Sequence, residues 1–346
     1  MPSHVPQGSF QTPPNVIPGK ADGAKTEYMK TLLLTLLLAF FPAREASRDM
    51  PSVMFWNLEN FFDTVDEGKN KGEKDFSATG TRHWTKRRFF DKCDVIAKSV
   101  LWIQDRYGRL PDIIGAAEVE NARVLNALSG ATALKKHDYR IIHYDSHDPR
   151  GIDVALLYRS SVFEETASKP YSVKGKDGAA IRTRDILYVC LKERENGRKW
   201  HYIVNHHPSK FSGSKASAYS RECAMKTLKS ICDSLHALGE THIVAMGDFN
   251  DTPDNEAFRI LDSTMVNLAV PLAKKGYGTI RYQGRWDLID MFIVSGQVAE
   301  SSRMEIVRIP FLMQNDRAHP GEKPFRTYSG PRYIGGASDH CPIILY

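Results

Sequence analysis

Eight short apolar runs, rich in β-branched and aromatic residues and bounded by polar residues, Gly or Pro, constrain the fold of this 346-residue chain more than any other feature. Runs of this length and composition are typical of buried β-strands. The predicted strands are residues 53–55, 113–117, 154–158, 186–191, 201–204, 242–246, 288–294 and 342–345.

Between these strands lie four stretches with a helical pattern, residues 87–104, 119–129, 216–238 and 255–261. Short strands mixed with helices predict a sandwich of two β-sheets flanked by helices. The competing architecture, a doubly wound parallel sheet, should show a Gly-rich phosphate turn after the first strand, but residues 55–59 contain no Gly. No linker or repeat follows Asp49, so residues 51–346 are predicted to form one domain.

Six of the predicted strand boundaries carry a carboxylate, amide or imidazole side chain. One polar residue at a strand end is ordinarily a surface residue, but six of the same chemical types indicate a site built on a rigid scaffold. These residues are Asn57 and Glu59, Glu118 and Glu120, Asn205 and His206, Asp248 and Asn250, Asp290, and Asp339 and His340.

The residue types at these boundaries favour metal-assisted chemistry at phosphorus. Carboxylate and amide oxygens are hard ligands that suit Mg²⁺, Mn²⁺ or Ca²⁺. Zinc is disfavoured because the sequence has no H-E-x-x-H motif and no Cys/His cluster. The lack of a G-x-S-x-G elbow and of a Walker loop argues against a serine hydrolase and an NTPase. Metal ligands, an imidazole and amide donors are the parts that metal-assisted attack of water requires.

Taken together and in order, five segments resemble the endonuclease/exonuclease/phosphatase superfamily, which includes pancreatic deoxyribonuclease, apurinic endonucleases, sphingomyelinases and inositol-polyphosphate phosphatases. The most specific are M-G-D-F-N-D at 246–251 and G-A-S-D-H-C-P-I at 336–343. The supporting segments are F-W-N-L-E-N at 55–60, A-E-V at 117–119 and V-N-H-H-P-S at 204–209. The resemblance covers nearly all of residues 52–346. It implies a four-layered α/β sandwich, two packed mixed β-sheets flanked by helices, with the site at one rim.

The resemblance also implies that metal ligands come from three separate segments. Glu118 would be the principal ligating carboxylate, Asn57 would lie beside it, and Asp339 would be a further ligand of the metal or of a water molecule. The cofactor implied is Mg²⁺, with Mn²⁺ or Ca²⁺ as alternatives of the same hard class.

The catalytic roles implied by the resemblance fall on five residues. Asp248 would orient or deprotonate the attacking water, and Asn250 would donate to the phosphate oxygens. His340 would contact the phosphoryl group, with its ring oriented by Asp290. His206 is similar to the second His that the deoxyribonuclease and sphingomyelinase branches place across the site. Because another His follows it and strand side chains alternate, only one of the pair can enter the site.

Each of four further residues could have one of two roles. Asp153 could lie near the cleft or stabilise a turn. Glu59 and Glu120 could support site residues or lie at the surface. Trp56 is predicted to belong to the core rather than to form a stacking platform.

The formal net charge of +6 favours approach to polyanions, but on charge alone an ordinary solvated surface is the preferred interpretation. The predicted substrate is nucleic acid, because basic residues occur near the site-bearing segments and beside aromatic residues in 274–285. Arg184 and Asn205 are the candidate substrate contacts. The alternatives are a phosphomonoesterase and a sphingomyelinase-like phospholipid diesterase. A catalytically inactive binding protein on the same scaffold is disfavoured because the catalytic residue types are all present. The protein is predicted to be a monomer.

The segment at 29–41, M-K-T-L-L-L-T-L-L-L-A-F-F, has the charged start and apolar run of a secretory signal peptide. The run is too short to span a bilayer comfortably. Residues 29–48 are therefore predicted to be a signal peptide, and residues 1–28 a disordered or misassigned leader before a true start at Met29. We expect export to the periplasm or the extracellular space, without a stable membrane span. Five cysteines with no C-x-x-C pair predict no disulfide.

Overall fold

The computed structural model describes residues 50–210 and 214–346. The predicted leader at 1–28 and the predicted signal peptide at 29–48 lie outside the described residues. Residues 50–346 group into one compact unit. In the described part of the chain, no helix is both long and apolar enough to cross a membrane.

Two six-stranded sheets form the centre of the fold. In spatial order, the first contains β13 (Met304–Ile306), β18 (Ile343–Leu345), β1 (Val53–Phe61), β2 (Ile113–Val119), β4 (Asp153–Arg159) and β3 (Tyr139–His143). The second contains β5 (Phe163–Tyr171), β6 (Ile186–Glu193), β7 (Lys199–His206), β8 (Ile243–Asp248), β12 (Asp290–Ser295) and β9 (Met265–Asn267). Three two-stranded ribbons pair β10 (Ile280–Tyr282) with β11 (Arg285–Asp287), β14 (Met313–Asn315) with β15 (Glu322–Pro324), and β16 (Tyr328–Ser329) with β17 (Arg332–Tyr333).

Helices cover the outer faces of the sheets. They are α1 (Lys71–Asp75), α2 (Lys86–Tyr107), α3 (Ala122–Ala131), α4 (Ser214–Ala237), α5 (Val270–Lys274) and α6 (Gly296–Ser301), with 3-10 turns at Ala133–His137, Glu256–Leu261 and Pro310–Leu312. Val53 and Phe55 of β1 pack into the core between the sheets, whereas Met54 and Trp56 pack outward with α2 and α3. Both faces of β1 are buried, and accordingly its first four residues, 53–56, are all apolar rather than alternating. The predicted four-layered α/β sandwich is confirmed.

Parallel pairing brings the polar strand ends to one rim. β1 and β2 are parallel in the first sheet, and β7 and β8 are parallel in the second. The carboxyl ends of parallel neighbours meet at the same edge. β12 runs antiparallel to β8, so that its first residue, Asp290, lies opposite the last residue of β8, Asp248. The Asn57 side chain then bridges the two sheets by donating to Asp248 at 3.0 Å.

One predicted helix boundary is wrong, for a physical reason. The helix predicted from residue 119 begins at Ala122, because the Asn121 side chain accepts from the amides of Arg123 and Val124 and caps the first turn. The stretch at 255–261 is helical, as predicted, and forms a 3-10 helix over Glu256–Leu261. The strand β5 was not predicted because it lies at a sheet edge, where its polar residues are mostly exposed.

Candidate active site

Asp248 is the centre of the polar cluster at the rim. Its Oδ2 lies 3.0 Å from Nδ2 of Asn57, 3.6 Å from Nε2 of His206 and 3.8 Å from Nε2 of His340. Its Oδ1 accepts the backbone N–H of Asn250 at 2.9 Å. Burial, reinforced by the nearby Asp290 carboxylate, raises the pKa of Asp248 to about 7. A carboxylate with such a pKa is suited to accept a proton near neutral pH.

His340 and Asp290 form a buried ion pair beside Asp248. Nδ1 of His340 lies 2.8 Å from Oδ2 of Asp290. Burial alone would lower the pKa of His340, but Asp290 and then Asp248 hold it well above its usual value. The imidazole is therefore a cation that can donate from Nε2. Trp56 is buried in the core, as predicted, and its indole donates to the His340 carbonyl at 2.9 Å, which fixes the backbone of His340.

His206, rather than His207, enters the site. Its Nε2 lies 3.6 Å from Asp248 and 4.0 Å from Oε1 of Glu118, whereas the ring of His207 packs on Phe249. Burial, followed by the charge of Arg184, lowers the pKa of His206 well below its usual value, so its ring is neutral. The site thus contains one neutral and one charged imidazole on two sides of one carboxylate.

Glu118 reaches the site through an irregularity in the first sheet. Its backbone has a positive φ of 59°, and the pairing of β2 with β4 shifts register between Ala117 and Val119. Such a bulge re-aims the side chain. Oε2 accepts the amide of Asn60 at 2.8 Å and lies 3.3 Å from Nη2 of Arg150. Burial would raise the pKa of Glu118, but Arg150 and the Asn60 amide lower it overall, so the side chain is a carboxylate.

Asp339 belongs to a second polar group at the edge of the site. Its Oδ1 lies 3.9 Å from Nε2 of His340, and its Oδ2 lies 3.0 Å from Nη2 of Arg326. Arg326 also pairs with Glu59 at 3.0 Å. Burial and the charge of Asp339 raise the pKa of Glu59 to about 7. Glu59 is therefore a buried supporting residue rather than a surface residue. Glu120 is likewise buried and accepts the amide of Asp63 at 2.7 Å.

The two predicted substrate contacts are buried supporting residues. Arg184 donates to the carbonyls of His206 and His207 and pairs with Asp148 at 3.0 Å, so its guanidinium is engaged inside the protein. The Asn205 side chain points away from His206 and donates to backbone carbonyls of β7 and β8. Both side chains are buried. The prediction that they contact the substrate therefore does not fit this geometry.

Asn250 does lie at the rim, where its backbone has a positive φ of 52° and its Nδ2 donates to the His207 carbonyl at 2.9 Å. Nδ2 carries two protons. This bond therefore leaves a second N–H for a ligand.

Two arginines beside the site were missed by the sequence reasoning. Arg150 contacts Glu118, and Arg326 contacts Asp339; their side chains are 46% and 47% exposed. Arg150 precedes the strand that starts at Asp153, which is the only sequence signal for it. Arg326 follows no long strand, and nothing in its sequence context indicates that it belongs to the site. Both lie where they can pair with an anionic ligand.

The residues at this rim fit a hard divalent cation. The donors available are the ionised Glu118, the Asn57 amide and Asp339, all of the oxygen class that Mg²⁺ prefers. Asp290 has a buried Oδ1 without a hydrogen-bond partner. Asp248, Asp290 and His340 also place one possible ligand atom each within 4.8 Å of one another. The charged His340 already compensates Asp248 and Asp290, so the cation is assigned to Glu118, Asn57 and Asp339.

Comparisons with known proteins agree with this geometry. The sequence model described as "Endonuclease/Exonuclease/phosphatase family" matches residues 52–346. The structure is similar to the human Nocturnin catalytic domain with bound sulfate anion, at 14% identity and a TM-score of 0.54, over 85% of this chain and 93% of that one. It is also similar to a mannosyl-6-phosphatase of Bacteroides thetaiotaomicron, at 16% identity and a TM-score of 0.53, over 86% of this chain and 99% of that one.

A third similar structure is an endonuclease/exonuclease/phosphatase protein of Bacteroides vulgatus, at 16% identity and a TM-score of 0.52, over 85% of this chain and 97% of that one. At such identities the likeness establishes the fold. No curated protein matches the chain in sequence. The family match spans the whole described site, from Asn57 to His340. The chain therefore belongs to the endonuclease/exonuclease/phosphatase family and is a metal-dependent phosphoric ester hydrolase.

Proposed function

We propose that this protein is an exported, monomeric, Mg²⁺-dependent phosphodiesterase that hydrolyses nucleic acid by in-line attack of water. The observation that carries the proposal is the pairing of a buried carboxylate, Asp248, with one neutral and one charged imidazole, between two half-exposed arginines. This arrangement provides a base, an acid and anion contacts around one point. Export rests on the predicted signal peptide at 29–48.

Each residue at the rim has a distinct task in this mechanism. Asp248 accepts the proton of the attacking water, aided by a pKa raised to about 7. His340 donates from Nε2 to the charge that develops on the phosphoryl oxygens, and Asp290 keeps its imidazole charged. Asn250 supplies an uncharged N–H to the same oxygens. A divalent cation held by Glu118, Asn57 and Asp339 would supply Lewis-acid polarisation of a phosphate oxygen.

A groove beside the segment that carries Arg150 supports a polymeric substrate. Residues 146–149 of that segment line a cavity of about 420 Å³ in which Arg182 is exposed; Lys69 also lines the cavity but pairs with Glu67. Arg182 stands two residues before the buried Arg184, and it is the one that faces solvent. Positive side chains that extend beyond the reacting phosphate suit the neighbouring phosphates of a nucleic-acid strand.

A substrate panel with Mg²⁺ tests the proposal. Plasmid DNA, RNA, bis-p-nitrophenyl phosphate, a hexose 6-phosphate and sphingomyelin would be compared at two salt concentrations. We expect turnover of nucleic acid that falls steeply with added salt, and Arg182→Ala should reduce the salt slope by about one charge. Leu238→Ala, at an exposed position outside the groove, is the matched control. Turnover of the hexose phosphate or of sphingomyelin without turnover of nucleic acid would replace this function by one of the alternatives.

A further inference from the structure

A second cluster of potential metal ligands lies in a cavity outside the catalytic rim. The cavity has a volume of about 620 Å³, and its lining includes six carboxylates. Two basic side chains also line it, Lys69 and Arg123, but both pair with the same residue, Glu67. The β3–β4 connection and Asp153 contribute the carboxylates at the other wall, none of which forms an ion pair with these two cations.

Three residues in this cavity have the separation of metal ligands. Nε2 of His143 lies 3.6 Å from Oδ2 of Asp153, and Nδ1 lies 3.8 Å from Oδ1 of Asp145. One ligand atom from each residue lies within 4.8 Å of the others. Around an ion with bonds of about 2.1 Å, neighbouring ligand atoms are about 3.0–3.5 Å apart. The two short contacts use different nitrogens of the His143 ring, and an ion can bind only one of them. The separation between Nε2 and Asp153 is within a few tenths of an ångström of this range, and the exposed Asp145 side chain would have to move toward the same nitrogen to complete the set.

His143 provides an independent sign of a ligand. Its side chain is only 4% exposed, and its Nε2 makes no hydrogen bond. The neighbouring oxygen of Asp153 at 3.6 Å is beyond hydrogen-bond distance. The other oxygen of Asp153 is already held, since it accepts from the backbone and the hydroxyl of Ser146. A buried imidazole nitrogen without a partner carries a desolvation cost that a metal ion would remove.

We propose that His143, Asp145 and Asp153 bind a divalent transition-metal cation, of which Zn²⁺ is the representative, separately from the catalytic cation. An imidazole with two carboxylates suits Zn²⁺ better than Mg²⁺, and three protein ligands leave a fourth position for water. The sequence showed no Cys/His cluster because these ligands come from the end of β3, the following connection and the start of β4.

The cation would close the connection between β3 and β4. That connection carries two residues that support the site. Asp148 pairs with Arg184, which donates to the carbonyls of His206 and His207. Arg150 contacts Glu118. Joining His143 to Asp145 and Asp153 ties both ends of the segment that presents Arg150. The bound ion would therefore position Arg150 without touching the reacting phosphate, and its loss should raise KM more than it lowers kcat.

Calorimetric titration of the full chain with Zn²⁺ in excess Mg²⁺ tests the site directly. We expect one Zn²⁺ to bind in the wild type and in Glu118→Gln, which lacks the principal catalytic-site ligand. Asp145→Asn should weaken Zn²⁺ binding by at least about tenfold, and because Asp145 is 81% exposed the substitution leaves the fold intact. His143→Ala should weaken it further. His147→Ala, an exposed His on the same connection, is the matched control and should bind Zn²⁺ as the wild type does.

Two outcomes would overturn the inference. One is Zn²⁺ binding that is unchanged in both Asp145→Asn and His143→Ala. The other is Zn²⁺ binding that disappears in Glu118→Gln, since the ion would then occupy the catalytic rim. Neither outcome bears on the proposed nuclease function, which the substrate panel tests separately.

Discussion

Replacing Asp290 by Asn should move the whole pH profile of the enzyme to lower pH while lowering its maximum. Asp290 acts on both titrating groups of the mechanism. Its charge keeps the pKa of His340 well above the usual value, and the same charge contributes to raising the pKa of Asp248. Without it, Asp248 loses its proton at lower pH, which shifts the acidic limb down. His340 also loses its proton at lower pH, which shifts the basic limb in the same direction.

The expected loss of kcat follows from the buried contact between Asp290 and His340. Oδ2 of Asp290 lies 2.8 Å from Nδ1 of His340, and both side chains are shielded from water. Removing a transition-state donor outright costs about 2.7–4 kcal/mol, which is about 10²–10³ in kcat, and this is the upper limit for Asp290→Asn because the His340 donor itself remains. The fold should survive, because the substitution also removes the repulsion between Asp290 and Asp248, which lie opposite each other on β12 and β8.

The assay is the pH dependence of kcat and of kcat/KM on bis-p-nitrophenyl phosphate at saturating Mg²⁺, with thermal unfolding as the check on folding. Asp287→Asn, the same chemical change at an exposed position on β11, is the control and should leave the profile unchanged. A folded Asp290→Asn protein with wild-type kcat, or with limbs at the wild-type pH values, would refute the assignment of His340 and Asp248 as the acid and the base.

Three further predictions concern other residues of the site. Glu118→Gln should raise the Mg²⁺ concentration for half-maximal activity by at least about tenfold, measured by metal titration after chelation; an unchanged requirement would remove Glu118 from the ligand set. Arg326→Ala should raise KM for DNA by about tenfold, equivalent to about 1.4 kcal/mol, and reduce the salt slope by about one; an unchanged KM would show that Arg326 serves only Glu59 and Asp339. Glu120→Gln should stabilise the metal-free protein at pH 8.5 but not at pH 5, because burial raises the pKa of Glu120 from 4.5 to about 8. A carboxyl with a raised folded pKa contributes stability below pH 4.5 and loses it as the pH rises through 8, so the difference should reach the order of 3 kcal/mol in thermal unfolding; equal stability at both pH values would contradict it.

The sequence was sufficient for the elements that carry the site. Buried strands in a layered sandwich have continuous apolar runs, and the polar residue that ends each run is visible in the sequence. Asn57 and Asp248 lie on different sheets, yet both were assigned to one site, because each follows an apolar strand and lies in a segment that resembles the family; the hydrogen bond between them confirms that they lie together. Strand alternation predicted that only one of His206 and His207 enters the site. The contact between His206 and Asp248 shows that it is His206.

The sequence was insufficient where a long-range partner decides the direction of a side chain. Arg182 and Arg184 have the same local context, and both could serve as phosphate contacts. Arg184 is buried because Asp148 arrives from a different part of the chain and forms an ion pair with it. Arg150 becomes a site residue for a similar reason, since its partner Glu118 lies on a neighbouring strand. Pairings between residues this far apart leave no periodic signal in the sequence.

The direction of the Glu118 side chain depends on local backbone strain as well as on the strand pattern. A regular strand would place Glu118 in alternation with Ala117 and Val119, but its φ of 59° and the bulge in β2 turn it out of that pattern. A non-Gly residue in this region costs on the order of 1–3 kcal/mol and persists only when its surroundings hold it. Here the Asn60 amide and Arg150 bind one carboxylate oxygen. Because Asn60 is itself in the left-handed region, the ends of β1 and β2 are distorted together. The strained backbone lies at the point where the rim presents an ionised carboxylate toward His206.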